Sequence, residues 1–190
     1  LYSSYMKHSC FIIIATLFSC IMLGCMDKKN SNEMLKVEEK TSSEPDTTIY
    51  GVCGEGTAMH TLQLITDVGD TLEFALLDKY DTQANVQGGL MSGDRMAVVG
   101  ADINGDRVAS KVINVTTLLG KWVSLDKNFE IEEGGTVKSN VKAETKSWTS
   151  WKIFNGHLLL NKDTFDIISL GADSLYLENN NGIFVYKRQQ

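Results

Sequence analysis

The chain has 190 residues, a formal net charge of −6, sixteen Gly, one Pro and three His. No cluster of Lys and Arg accompanies that acidic balance, which excludes a nucleic-acid partner, because holding phosphates needs a concentrated basic surface. The abundance of Val, Ile, Thr, Leu and aromatic residues, with so little Pro, predicts an all-β protein.

The first predicted element is a signal. Lys7 and His8 precede an apolar run from Phe11 to Cys25, shorter than the ~20 residues a mature membrane-spanning helix needs. It reads as a secretion signal with Met6 as the expected start. Its end, Leu23-Gly24-Cys25, resembles the lipobox of bacterial lipoproteins, in which the cysteine is acylated and becomes the mature N-terminus. The resemblance implies upstream residues and signal peptide over 1–24, lipidation at Cys25, and a membrane attachment in the cell envelope through the N-terminal lipid. Met26, rather than Asp, after the cysteine implies the outer membrane by the same resemblance. No acidic run of the kind tied to surface display in Bacteroidetes-type bacteria follows closely, so the exported part is expected to face the periplasm.

Cys10 and Cys20 leave with the signal, and Cys53 is left as a lone thiol. It cannot close an internal disulfide, so the exported part must be stable from its core alone, with Cys53 as a small buried strand residue. Residues 25–48 read as the lipidated N-terminus and a flexible tether. Met26 to Thr48 is rich in Lys, Glu, Asp, Ser and Asn without apolar periodicity, and buries too little to repay the entropy of ordering. Such a linker reaches roughly 25 Å. Asp46-Thr47-Thr48 resembles the O-glycosylation sequon of the Bacteroidetes.

Residues 49–117 are the first folded unit. Five strands are predicted: Ile49 to Cys53, Met59 to Thr66, Thr71 to Leu77, Arg95 to Gly100 and Arg107 to Val115. Asp67-Val68-Gly69-Asp70, Ser92-Gly93-Asp94 and Asn104-Gly105 supply turns, the last a strong hairpin signal. Leu72, Phe74 and Leu76 alternate with Glu73 and Ala75, and Val108, Val112 and Val115 with Lys111 and Asn114, which puts one face in the core and one in water. Gly93-Asp94-Arg95-Met96-Ala97-Val98-Val99-Gly100 resembles a strand of OB-type barrels, implying a small five-stranded barrel whose glycines permit a tight turn and a bend. Its aromatics Tyr50, Phe74 and Tyr80, with Arg95, Arg107 and Lys111, are too sparse for a polymer-binding face. Asp102 to Asp106 reads as a turn, since Arg107 and Ile113 stand where a calcium loop needs Gly and Glu. His60 has no partner at ligand spacing.

Residues 118–190 read as one hairpin after another. Eight strands are predicted: Lys121 to Leu125, Asn128 to Glu132, Thr136 to Val141, Trp148 to Phe154, His157 to Asn161, Thr164 to Leu170, Ser174 to Glu178 and Ile183 to Arg188. Connections this short allow only antiparallel neighbours, hence an eight-stranded meander barrel. Gly120-x-Trp122, Gly135-Thr136 and the run Phe165 to Leu177 resemble the small lipocalin-like domains of Bacteroidetes lipoproteins, in which the Gly-x-Trp tryptophan plugs the closed end of the barrel. Trp148 and Phe154 are expected on one strand face and Trp151 on the other.

No nucleophile with a base, carboxylate pair, metal shell or Gly-rich phosphate loop is evident. No catalytic or metal-ligating residue is assigned, no cofactor is expected, and the chain is not expected to be an enzyme. The expectation is a non-catalytic binding module for a small apolar or glycan ligand, with Trp122, Trp148, Trp151 and Phe154 as candidate ligand-binding residues. The alternative is an interaction protein with no small-molecule ligand, docking on an envelope protein through strand edges and aromatic patches.

Overall fold

A computed structural model describes residues 44–140 and 147–189. The signal, Cys25 and residues 26–43 of the expected tether lie outside the described residues. The regular structure described is almost entirely strand.

The first sheet contains β1 (Ile49–Cys53), β2 (Thr61–Thr66), β3 (Thr71–Ala75), β4 (Asn85–Gln87), β5 (Arg95–Ile103) and β6 (Asp106–Asn114). β1 pairs antiparallel with β2 and β5, β2 with β3, and β5 with β6. A parallel contact of Ala75 with Val108 joins β3 to β6 and closes the ring in the order of a five-stranded OB-like barrel. β4, which the sequence did not announce, lies parallel beside β6 beyond β3. It is too short to show periodicity.

Alternation explains the core. Leu62, Leu64, Phe74, Leu76, Met96, Val98 and Val112 are buried together with Cys53. The β5–β6 hairpin turns through Asn104 and Gly105, both with positive φ (58° and 95°), the pairing whose twist suits a two-residue hairpin. Gly100 lies where the β5–β6 register shifts. A Cβ there would stand 2.6 Å from the Val108 carbonyl oxygen, so the strand bends only because the side chain is absent.

One expectation fails at the end of β6. Asn114, placed on the wet face by alternation, is fully buried. The strand stops there, and Asn114 caps the single-turn helix α1 (Val115–Leu118), its Oδ1 accepting from Thr117 N at 2.8 Å. Its Nδ2 donates to Asp94 Oδ2 at 2.7 Å and to the Gly89 carbonyl at 3.2 Å. These bonds satisfy an amide that would otherwise be costly to bury.

The second sheet holds β7 (Gly120–Val123), β8 (Asn128–Ile131), β9 (Val137–Ser139), β10 (Trp151–Phe154), β11 (His157–Leu160), β12 (Asp163–Leu170), β13 (Ser174–Asn179) and β14 (Gly182–Arg188). Every neighbouring pair is antiparallel, and β14 returns to β7. Between β9 and β10 the barrel is drawn nearly shut by the Thr136–Ser150 bridge and by Val137 N donating to Thr149 O at 3.0 Å.

The two barrels share a wall. Tyr50, Ala97 and Ile113 lie in one row across β1, β5 and β6. They point away from the first core, and Ala97 and Ile113 are buried in the core of the second barrel. Tyr50 Oη donates to the Ile153 carbonyl at 2.9 Å. Gln87, beside Ile113 in the same row, donates to Ile168 O at 3.1 Å and accepts from Leu170 N at 3.0 Å. The segment before β1 is held too, since Asn155 Oδ1 accepts from Thr47 N at 2.7 Å. The last residues of the expected tether therefore run against the second barrel.

Candidate ligand site at the mouth of the second barrel

The two ends of the second barrel differ. At one end, Trp122 is fully buried, and its indole N–H donates to Leu118 O at 2.9 Å. The Arg188 guanidinium lies 4.2 Å over its ring and donates to the carbonyls of Leu119, Thr117 and Ala172. This end is sealed by an aromatic–cation plug.

The opposite end is formed by the β7–β8 turn, the chain just before β10, and the β11–β12 and β13–β14 turns. There a pocket of ≈ 990 Å³ opens. Its floor is Phe165 of β12, Phe184 and Tyr186 of β14, and Trp148 from the segment before β10. Phe129 meets Trp148 and Tyr186 edge-on at 5.1 Å each, Trp148 meets Phe165 at 5.7 Å, and Phe165 meets Phe184 at 5.9 Å. Edge-to-face packing of this kind favours these ring orientations by about 0.5–1.5 kcal/mol per pair, so the floor is formed without a ligand.

The rim is polar. Lys127 Nζ sits 4.4 Å over the Trp148 ring, and Trp148 Nε1 donates to Asp163 Oδ2 at 3.4 Å. Burial pushes the Lys127 ammonium below its ordinary pKa, with Asp163 pulling the other way. Burial, and secondarily the Asp126 charge, pushes the Tyr186 phenol up to about 12. The mouth can therefore take an apolar body against the rings and hydrogen-bond a polar group at the edge.

The four residues singled out in the sequence are dispersed. Only Trp148 lines this pocket. Trp122 belongs to the sealed end. Trp151 is half-buried against the core, with Nε1 donating to Glu132 O at 2.7 Å. Phe154 is half-buried with Lys152 4.5 Å over its ring. The expected sharing of a face by Trp148 and Phe154 fails, because β10 begins only at Trp151 and Trp148 enters the core from the preceding segment. Asn161 Oδ1 holds that segment by accepting from Thr149 N and Ser150 N. Tyr186, Phe184, Phe165 and Lys127 were missed. Alternation in β12 and β14 marked the three aromatics as inward, but nothing in it told a packed interior from a lined mouth, and Lys127 lies in the β7–β8 turn, where there is no alternation to read.

Elsewhere, Cys53 is buried with its Sγ 3.3 Å from Thr57 Oγ1, and His60 is exposed. His157 Nδ1 lies 2.8 Å from Asp166 Oδ1, which also meets Lys111 Nζ at 3.3 Å. In the first barrel Phe74 is buried, Tyr50 is committed to the second barrel and Tyr80 is exposed, so the three aromatics make no common face. A pocket of ≈ 590 Å³ beside Tyr80 has a rim of mixed charge, Lys79 and Arg107 with Glu73, Asp78 and Asp106.

Comparison with protein families agrees with this geometry. Residues 114–189 match the model of the Lipocalin-like family, which begins at the α1 cap and takes in the whole second barrel. No curated protein and no solved structure matches the chain.

Proposed function

We propose that this chain is a non-catalytic binding protein and that it holds a small apolar ligand in the mouth of its lipocalin-like barrel. The observation that carries this reading is the ≈ 990 Å³ pocket with four aromatic side chains as its floor, at the end opposite the Trp122 plug. A volume of this size suits a ligand of drug-like or fatty-acid dimensions, and Lys127, Asp163 and Asn179 at the rim suit one carrying a polar end. The family match over residues 114–189 supports the reading.

The same proposal places the protein on the cell envelope, anchored by a lipid on Cys25 and facing the periplasm. The lipobox-like Leu23-Gly24-Cys25 supports that placement. Mass spectrometry of the protein from its native membrane tests it: a mature chain beginning with acylated Cys25 is expected, and an unmodified thiol with the signal still attached refutes it.

The ligand site is tested with cis-parinaric acid, a fluorescent apolar carboxylate, titrated into the full chain with energy transfer from tryptophan as the readout. Saturable one-to-one binding is expected, weakened at least about tenfold by Phe184→Ala while the circular dichroism spectrum is unchanged. Binding that never saturates, or that ignores the substitution, refutes the site.

A further inference from the structure

The main chain of β14 alternates in direction. Arg188 N donates to Asp173 O at 2.9 Å on the β13 side, and Gln189 N donates to Lys121 O at 2.9 Å on the β7 side. By the antiparallel ladder, even-numbered residues of β14 bond to β13, and odd-numbered ones turn their N–H and C=O toward β7. β13 accompanies β14 from Gly182 to Lys187, whereas β7 meets it only at Lys187 and Arg188. β7 departs at Val123 because Ser124 N donates to Lys127 O at 2.7 Å and folds the chain back into β8. Ile183 and Val185 are left with their main-chain groups on an open edge, and among the described residues no strand pairs with them there.

That edge runs along the wall of the mouth pocket. Phe184 and Tyr186 lie on its inner side, in the aromatic floor, while Ile183 and Val185 stand on its outer side, 61% and 44% exposed. Leu125, fully exposed at the tip of the β7–β8 turn, faces the same pocket from across the gap. Lys187 stands where the seam closes and forms no ion pair among the described residues.

We propose that this open half of β14 accepts a short extended peptide as an added strand, with apolar side chains at alternate positions and a carboxylate at the end beside Lys187. Unpaired edges are ordinarily short, charged or covered; this one is apolar on both sides and opens into a pocket. Main-chain bonds to Ile183 and Val185 supply affinity, and each inward side chain of the peptide reaches the rings beside Phe184 and Tyr186. The Lys187 ammonium, with no ion pair among the described residues, gives the carboxylate its place. The site shares its floor with the ligand pocket but does not rest on that reading, since the edge is open whether or not an apolar small molecule binds.

The test uses the full chain, labelled with ¹⁵N, and an N-acetylated hexapeptide alternating threonine and valine with a free carboxyl terminus. Saturable shifts of the Ile183 and Val185 amide signals are expected. The same peptide N-methylated at alternate amides leaves the protein untouched and should bind about tenfold more weakly, and the C-terminal amide should bind more weakly too. Equal binding of the N-methylated peptide, or shifts confined to other strands, overturns the proposal. So does light scattering that shows a dimer occupying the same amides without peptide, which would assign the edge to a second copy. Binding of cis-parinaric acid with no binding of the hexapeptide refutes this proposal alone and leaves the ligand site standing, whereas the reverse refutes the ligand site alone.

Discussion

The Arg188 guanidinium lies 4.2 Å over the Trp122 ring, and the same group donates to three carbonyls at the sealed end of the second barrel. The last strand is thereby fastened to the first, to α1 and to the β12–β13 turn. Arg188→Ala would strip donors from carbonyls of which Thr117 and Leu119 are bonded at part-buried positions. The expected loss is about 3 kcal/mol of unfolding free energy, from unpaired acceptors and the lost cation–ring contact. Urea titration followed by tryptophan fluorescence measures it. Arg188→Lys should recover less than half, because an ammonium cannot reach three acceptors in a plane.

All three tryptophans, Trp122, Trp148 and Trp151, lie in the second barrel, so intrinsic fluorescence reports on that barrel directly. The shared wall of Tyr50, Ala97 and Ile113 couples the two cores. Val112→Ala, which leaves a cavity only in the first core, should lower the fluorescence midpoint as much as it lowers the midpoint seen by far-ultraviolet circular dichroism, by roughly 2 kcal/mol in free energy. Two separated transitions would show that the barrels unfold independently.

Tyr50→Phe removes the hydroxyl that donates to Ile153 O across the same wall. A cost of about 1 kcal/mol is expected, read as a shift in the thermal midpoint. A neutral outcome would mean that this one hydrogen bond adds nothing to the wall.

Tyr186 has its phenol pushed from 10.0 up to about 12 by burial. A group whose folded pKa is raised stabilises the native state below its unfolded pKa and loses that contribution as pH rises through the folded value. The Tyr186 contribution should therefore be level below pH 10.0 and be lost between 10.0 and about 12, an amount on the order of 2 kcal/mol. Denaturant midpoints across that range check the slope, and Tyr186→Phe should make it shallower. Absorbance at the tyrosinate band would show Tyr186 titrating late in the native protein, together with Tyr50, whose phenol burial also pushes up.

Gly100→Ala tests the bend in β5. The new methyl would meet the Val108 carbonyl within 2.6 Å, so the strand pairing at the register shift must give way. A loss of about 2 kcal/mol or more is expected, whereas Gly69→Ala, in open space, should cost only the strain of its positive φ.

The strand plan was legible because both barrels are built from half-buried antiparallel strands. In such strands one face meets the core and the other meets water, and the alternation of Leu72, Phe74 and Leu76 or of Phe165 and Ile167 states the period outright. Asn104-Gly105 and the other short polar turns marked where the chain reverses, and Gly-x-Trp marked the end that would be plugged. β4 and α1 escaped this reading, being too short to carry a period, and the buried Asn114 escaped it because a capping bond is invisible in one dimension.

The binding end was not legible in the same way. Which of Trp122, Trp148, Trp151 and Phe154 plugs, lines or merely packs depends on strand tilt and on where β10 begins, and both are set by contacts between residues far apart in the chain. Strand count and alternation determined by themselves that there are two barrels and which faces are inward, and the cysteine positions determined that the barrels hold a single thiol, Cys53, since those follow from local periodicity and residue count. Only the tertiary structure decided that the barrels share a wall, that the mouth lies between Lys127 and Tyr186, and that β7 parts from β14 after Val123, because each depends on how strands meet after the ring has closed.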